Sequence, residues 1–176
     1  MCIRDRSGTE YALKVLKRFS EILNVSKITN LKIIATAVLR EATDTKPFIN
    51  EVEKLFKTKI NILSGEEEAE CSAEGVKIGF ENVNGLVADL GGGSLELARV
   101  ENNIVTNKTS LPVGVLRLLN NPIVKKRNLA KYIKKLLREE KWLSKKKFNN
   151  LYLVGGTWRA LFKLHLFQNN HPVHII

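Results

Sequence analysis

The chain has 176 residues, of which 44% are hydrophobic, so it can bury the core of one ordinary domain or of two small lobes. Its formal net charge of +11 indicates a surface that attracts anions, without distinguishing nucleic acid, acidic lipid or polyphosphate. We expect a cytoplasmic protein with no membrane partner, because Cys2 and Cys71 are its only cysteines, no secretory apolar segment is visible and its apolar runs are too short to span a bilayer.

The two ends of the chain read differently from the rest. The opening "MCIRDR" resembles the translated end of a sequencing-library adapter, so we exclude residues 1–6 from fold reasoning as a non-native segment. The closing "HPVHII" resembles a strand that is cut short. We therefore expect a fragment open at both ends, with residues 7–80 forming the C-terminal part of a first lobe and residues 81–176 most of a second.

Helices and strands alternate over the first 80 residues. Apolar residues recur at helical spacing over 10–23, and the pattern resumes from Pro47, a residue suited to a first helical turn. Short apolar runs at 32–36 and 59–64 predict strands. Ser64 and Glu67 form a capping-box pattern that starts another helix at 65 or 66. This alternation is typical of an α/β fold with a parallel sheet.

The pattern changes after Asn84. Residues 85–113 predict two or three strands joined only by turns at 91–93 and 101–103, which is an antiparallel meander. Helices return at 114–119 and in the basic stretch 125–147, whose leucines and isoleucine keep a helical apolar stripe beneath the lysines. A strand, a Gly-Gly-Thr turn and a helix follow. The change of pattern places a lobe boundary near residues 80–84.

The segment "GLVADLGGGSLELARV", residues 85–100, carries the strongest chemical signal. Asp89 ends an apolar run at three glycines, which let backbone N–H groups converge on an anion because glycine tolerates unusual backbone angles. Asp89 and Glu96 can then face the same cavity and offer oxygen ligands to a hard cation. A tight hairpin in which Asp89 only caps a turn is the alternative, since glycine motifs alone are weak.

Five blocks in order resemble the Ppx/GppA family of exopolyphosphatases and guanosine pentaphosphate phosphohydrolases. They are "ATAVLREA" at 35–42, "SGEEEA" at 64–69, "DLGGGSLEL" at 89–97, "SLPVGVLRL" at 110–118 and "LVGGTWRAL" at 153–161. The resemblance implies an α/β fold of the actin-like ATPase (ribonuclease H-like) class, with two lobes around a cleft that are both expected to be incomplete. It also implies a hydrolase of terminal phosphoanhydride bonds that uses Mg²⁺ or a similar divalent cation.

The resemblance also assigns roles to individual residues. Glu68 matches the catalytic glutamate that activates water, and Arg40 matches an arginine that contacts phosphate. Asp89 and Glu96 match the metal-holding positions. The phosphate-binding loop corresponds to Gly91, Gly92, Gly93 and Ser94. Residues 155–157 either line the cleft or form a packing turn before a helix.

Two departures from the family pattern bear on these roles. The first phosphate loop of the superfold does not occur in this sequence, and Leu95 stands where a threonine is more usual. Inorganic polyphosphate is the first expected substrate and guanosine pentaphosphate the alternative, since the shared motifs do not separate them. A non-catalytic phosphate or polyphosphate binder is a further alternative, nucleic-acid binding is a weaker one, and a homodimer of the full-length protein is left open.

Overall fold

The computed structural model describes residues 6–119, 128–144 and 147–171. The adapter-like residues 1–5 and the closing 172–176, on which two of the predictions above fall, lie outside this part of the chain. The described residues form two compact units, one ending at Ser64 and the other beginning at Gly65.

The first unit alternates helices with two short strands. Its elements are α1 (Arg6–Val25), β1 (Ile33–Ala35), α2 (Ala37–Glu41), α3 (Lys46–Phe56) and β2 (Ile60–Ile62). The two strands pair in parallel, with Ile33 opposite Ile60. Helix α3 carries Pro47 in its first turn, where a missing N–H costs no hydrogen bond, and it ends at Lys57 in the left-handed conformation (φ 52°).

The core of the first unit lies between its helices and its two strands. Leu39, Phe48 and Val52 are buried, and Leu13 and Leu16 of α1 pack against them. The spacing of these apolar residues on α1 and α3 puts them on one face of each helix. The unit therefore has a hydrophobic core of its own.

The second unit is built on a four-stranded mixed sheet in the order β5-β4-β3-β6. Its elements are α4 (Gly65–Gly79), β3 (Gly85–Leu90), β4 (Leu95–Glu101), β5 (Ile104–Leu111), α5 (Val115–Leu119), α6 (Leu129–Glu139), α7 (Lys141–Ser144), β6 (Leu151–Val154) and α8 (Gly156–Gln168). Strands β3, β4 and β5 form the antiparallel meander, and β6 pairs with β3 in parallel.

Alternate residues of the central strands face two different clusters, as the pleat of a strand requires. On one face α4 packs its small residues Ala69 and Ala73 against Val87, Ala98 and Val100. A second cluster takes the neighbouring strand residues Ala88 and Leu97, and the apolar side of α6 packs onto it. Small side chains on α4 let that helix approach the sheet closely.

The predicted order of helices and strands is confirmed, with one omission and one difference. Helix α2 was not predicted, because its five residues are too few to show a helical period. The predicted boundary near 80–84 differs from the division after Ser64, since α4 packs on β3, β4 and β5 and so belongs to the second unit. No helix in the described ranges combines the length and the apolar character needed to cross a membrane.

Candidate functional site

The three glycines form a tight turn between β3 and β4. The register pairs Leu90 with Leu95, and the backbone N–H of Gly91 donates to the carbonyl oxygen of Ser94 over 3.0 Å. We call residues 91–94 the glycine turn. It joins two central strands of the sheet, so its position is set by ladder hydrogen bonds on both sides.

The carbonyl groups of all three glycines are turned toward α5. Val115 N–H donates to the carbonyl oxygen of Gly91 (3.1 Å), Leu116 N–H to that of Gly92 (2.9 Å), and Arg117 Nε to that of Gly93 (2.7 Å). In a trans peptide the N–H points opposite to the C=O. The N–H groups of the next residue in each case, from Gly92 to Ser94, are therefore directed away from α5. None of the three glycines has a positive φ, so the turn does not use the left-handed conformation that glycine permits.

Gly114 allows the chain before α5 to lie against this turn. A Cβ added at Gly114 would lie 2.2 Å from the carbonyl carbon of Gly93 and 2.3 Å from the nitrogen of Ser94. Those atoms are backbone and cannot swing aside as a side chain would. Only glycine fits here without moving the turn or α5.

Asp89 and Glu96 lie next to each other on the face of the sheet that carries α4. They are directly opposite in the β3–β4 register, so their side chains share one face. Ser72 Oγ on α4 donates to Asp89 Oδ2 over 2.7 Å, and Ser110 Oγ on β5 donates to Glu96 Oε1 over 2.8 Å. Each carboxylate is thus held by a hydroxyl group from a neighbouring element.

Burial and neighbouring charge both act on Glu96, which is only 2% exposed. Burial raises the pKa of this carboxyl above its ordinary value, and hydrogen bonds from Ser94 and Ser110 partly oppose the shift. The negative charges of Glu68 and Asp89 raise the pKa further. Glu68, half-buried in the first turn of α4, therefore lies within electrostatic range of Glu96. We call Glu68, Asp89 and Glu96 the acidic cluster.

The turn between β6 and α8 lies against Asp89 of the acidic cluster. Gly155 has a φ of +104°, and a Cβ added there would lie 2.8 Å from Asp89 Oδ1. Trp158 Nε1 of α8 donates to the carbonyl oxygen of Ala88, one residue before Asp89, over 3.1 Å. Residues 155–157 were predicted either to line the cleft or to form a packing turn before a helix. The structure places Gly155 directly against the carboxylate of Asp89, and helix α8 begins at the next residue.

Arg40 lies in the first unit, on the short helix α2. Its Nη1 donates to the carbonyl oxygen of Leu63 over 2.7 Å, which ties the guanidinium to the chain just beyond β2. We had expected Glu68 to belong to the first lobe with Arg40. The structure instead brings Glu68, Asp89, Glu96 and the glycine turn together within the second unit.

Asp89 and Glu96 offer carboxylate oxygens of the kind that Mg²⁺ takes, although within the described ranges no three Asp, Glu, His or Cys side chains are gathered closely enough to hold a metal ion by themselves. Mg²⁺ is commonly held by one or two carboxylates together with waters and substrate phosphates. Glu96 is buried beside two further negative charges, so a cation at this position would relieve their repulsion.

Sequence reasoning missed four residues of this arrangement: Ser72, Ser110, Gly114 and Arg117. Ser72 follows Glu68 by four positions, which places both on one face of α4, and this spacing is a usable signal. Ser110 is paired with Glu96 in the β4–β5 register, which no local pattern reveals. Gly114 and Arg117 lie inside a block that was recognised as a whole without a role for either residue.

Comparisons with known proteins find relatives of this chain. The model of the Ppx/GppA phosphatase family matches residues 5–174. A guanosine-5'-triphosphate,3'-diphosphate pyrophosphatase of Aeromonas hydrophila is 38% identical over 118 residues, covering 66% of this chain and 24% of that protein. A bifunctional 3-dehydroquinate synthase/phosphatase of Fusobacterium nucleatum is 33% identical, covering 84% and 24%. The chain thus spans about a quarter of the length of these curated relatives.

Solved structures share the fold. An exopolyphosphatase from Cytophaga hutchinsonii superposes with a TM-score of 0.82 at 22% identity, covering 97% of this chain and 58% of that one. The Ppx/GppA family member from Aquifex aeolicus gives a TM-score of 0.70 at 22% identity, with coverages of 93% and 55%. The predicted α/β fold of the actin-like ATPase class is confirmed.

Proposed function

The chain belongs to the Ppx/GppA phosphatase family, whose members hydrolyse phosphoanhydride bonds, and on this basis we propose that its whole protein removes terminal phosphates from inorganic polyphosphate. The observation that supports the proposal most is the convergence of the glycine turn and the acidic cluster in one unit. The turn offers N–H donors for a phosphate. The cluster offers carboxylate oxygens of Asp89 and Glu96 to bind a cation and a carboxylate of Glu68 to accept a proton from water.

The terminal phosphate would be seated on the glycine turn. N–H groups from Gly92 to Ser94 donate to its oxygens, and they need no reorganisation because α5 already holds the carbonyl groups on the other side. Family resemblance assigns Arg40 a contact with phosphate, a role that suits a guanidinium because it stays charged at all working pH values.

Asp89 and Glu96 are the residues that would hold Mg²⁺, which when bound neutralises charge on the transferring phosphoryl group. The hydroxyl groups of Ser72 and Ser110 fix one oxygen of each carboxylate by hydrogen bonds. Such support from neighbouring groups orients metal ligands and limits their motion. The serines therefore act here as positioning residues.

Glu68 is proposed as the general base. Its carboxylate accepts a proton from a water molecule whose oxygen attacks the terminal phosphorus in line, while the bond from that phosphorus to the bridging oxygen breaks. The products are inorganic phosphate and a polyphosphate chain shorter by one unit. The position of Glu68 in the first turn of α4, half-buried and near Asp89 and Glu96, supports this role.

Hydrolysis of guanosine pentaphosphate at its 5' end is the second candidate function. It is favoured by the names of curated relatives, of which the Aeromonas hydrophila protein is 38% identical. Both substrates present a terminal phosphate, so the turn and the cluster serve either. Competition separates them: long-chain polyphosphate should suppress phosphate release from the nucleotide at low concentration if the polymer is the better substrate.

The first test is phosphate release by the whole protein, supplied with magnesium and long-chain polyphosphate, for wild type and Glu68→Gln. We expect the substitution to lower kcat by about 10²-fold or more, because removing a general base costs about 10² to 10⁴ in rate. Glu66→Gln, which changes an exposed glutamate of the same helical turn, is the matched control and should retain activity within about twofold.

Two results would contradict the proposal. Equal turnover by wild type and Glu68→Gln would remove Glu68 from the chemistry. Tight polyphosphate binding without phosphate release by the wild-type protein, with either polyphosphate or the nucleotide, would make the glycine turn an anion cradle of a non-catalytic binder.

A further inference from the structure

Arg117 makes contact with two consecutive peptide groups of the glycine turn. Its backbone N–H donates to the carbonyl oxygen of Gly92 over 3.2 Å, and its Nε donates to that of Gly93 over 2.7 Å. The second contact is the shorter one, and it is made by a group that stays charged at any working pH. A hydrogen bond from an ionised donor is stronger than one between neutral groups.

The peptide group between Gly93 and Ser94 is the one that the guanidinium holds. Its C=O points at Arg117, so its N–H, which belongs to Ser94, points to the opposite side of the turn. Glycine lacks the Cβ that would restrict such a peptide from rotating. A rotated peptide would present a carbonyl oxygen where an N–H is needed, and two partial negative charges would then repel a phosphate.

The backbone of α5 and the side chain of Arg117 bond different carbonyl groups of the turn. Gly114 brings the start of α5 within backbone contact of the turn, at the distances given above, and the backbone of α5 satisfies the carbonyl groups of Gly91 and Gly92. The carbonyl group of Gly93 is reached by a side chain instead. One side-chain hydrogen bond therefore acts with the backbone contact of Gly114 to hold the last glycine peptide in its orientation.

We propose that Arg117 is a positioning residue that holds the Gly93–Ser94 peptide in the orientation that directs the Ser94 N–H at a bound phosphate. It acts through the turn, with its Nε on the carbonyl side opposite the N–H donors. The consequence for hydrolysis rests on the proposed function. The consequence for anion binding does not.

Two neutral variants isolate the hydrogen bond. Gln places its side-chain nitrogen at the same distance along the chain as Arg Nε, so Arg117→Gln keeps a donor and loses the charge. Met has a similar length and no donor, so Arg117→Met loses both. Arg138→Met, which removes the charge of an exposed arginine on α6, is the control for net charge.

The measurement is titration of the whole protein with inorganic phosphate, followed by NMR of the backbone amides of Gly92, Gly93 and Ser94. We expect phosphate to shift these amides in wild type, in Arg117→Gln and in Arg138→Met, with affinities within about threefold of one another. Arg117→Met should bind about tenfold more weakly, which is the size of one ordinary hydrogen bond. In hydrolysis, KM should follow the same order.

Each other outcome overturns the inference or separates it from the proposed function. Equal phosphate affinity of Arg117→Met and wild type overturns it, as does a loss in Arg117→Gln as large as in Arg117→Met. Absence of amide shifts in wild type also overturns it. If phosphate shifts the amides in the expected order but no variant, nor wild type, hydrolyses polyphosphate or guanosine pentaphosphate, the inference stands and the proposed function fails.

Discussion

The buried carboxylate of Glu96 lowers the stability of the folded protein. A carboxylate that is 2% exposed and faces two further acidic side chains is costly to ionise, even with hydrogen bonds from Ser94 and Ser110. A fold would not gain by placing a charge there for packing alone. The arrangement makes sense if a cation shares the position.

The raised pKa of Glu96 gives a pH dependence of stability. The folded protein keeps the proton on Glu96 to a higher pH than the unfolded chain, whose carboxyl titrates near 4.5. Between the pKa of Glu96 in the unfolded chain and its higher pKa in the folded protein, the folded state binds more protons. The free energy of unfolding of the metal-free protein should therefore fall as pH rises through this range. Glu96→Gln should remove this part of the decline and be more stable than wild type at pH 7.

Urea denaturation in the presence of a chelator, repeated between pH 4 and pH 8, checks this expectation. Glu81→Gln, which changes an exposed carboxylate outside the site, is the control and should leave the stability curve in place. A Glu96→Gln protein that is less stable than wild type at pH 7 would refute the expectation that the buried carboxylate of Glu96 destabilises the folded protein. The same variant should lose magnesium-dependent activity.

At the scale of elements, the contact between α5 and the glycine turn decides the shape of the site. Gly114→Ala would place a Cβ 2.2 Å from the backbone of Gly93, so either α5 or the turn must move. We expect a loss of stability of about 1–3 kcal/mol, as for other overpacked positions, together with loss of phosphate-induced amide shifts in the turn.

Gly75→Ala is the matched control for Gly114→Ala. Gly75 lies within α4, and nothing comes within 4 Å of a Cβ added there. Alanine favours helix over glycine by about 0.5–1 kcal/mol, so this variant should be more stable than wild type. Thermal unfolding followed by circular dichroism distinguishes the two, and a Gly114→Ala protein as stable as wild type would show that the contact is looser than described.

Helix α6 carries part of the positive charge of the chain on its solvent-exposed side. Ile133 and Leu136 pack against the second cluster of the sheet, while Lys131, Lys134 and Arg138 remain exposed. Lys135 on the same exposed side lies 3.8 Å from Glu139. In this part of the basic stretch, the charge run is the solvated face of a packed helix, as a 3.6-residue period with an apolar stripe predicts.

At the scale of the whole molecule, the two units have separate cores, so we expect core substitutions to act locally. Phe48→Ala should destabilise the first unit by about 3–5 kcal/mol, and Leu97→Ala the second by about 2–5 kcal/mol. Hydrogen exchange should then quicken mainly in α1 and α3 for Phe48→Ala, and mainly in β3, β4 and α6 for Leu97→Ala.

Mass spectrometry of the exchanged peptides provides the measurement, and each variant serves as the control for the other. If both substitutions accelerate exchange equally in the two units, the units unfold together and the local expectation is refuted. If Phe48→Ala leaves the exchange of the glycine-turn amides unchanged, the geometry of the turn depends on the second unit alone.

Much of the architecture follows from the sequence by itself. The apolar periodicities locate α1 and α3, and a capping-box pattern locates the start of α4. The turn residues at 91–93 and 101–103 delimit the meander, and the alternation of elements gives the α/β class. These features were predictable because each depends on residues within a few positions of one another. The glycine turn and its flanking carboxylates were visible for the same reason.

Only the tertiary structure decided how these pieces combine. It assigned α4 to the second unit, brought Ser72 and Ser110 to the carboxylates, and placed Arg117 on the carbonyl group of Gly93. These contacts join residues 14 to 24 positions apart, across elements whose packing depends on side-chain volume and on the absence of a Cβ at Gly114. Such contacts leave no periodic trace in the sequence, because close packing is satisfied in three dimensions rather than along the chain.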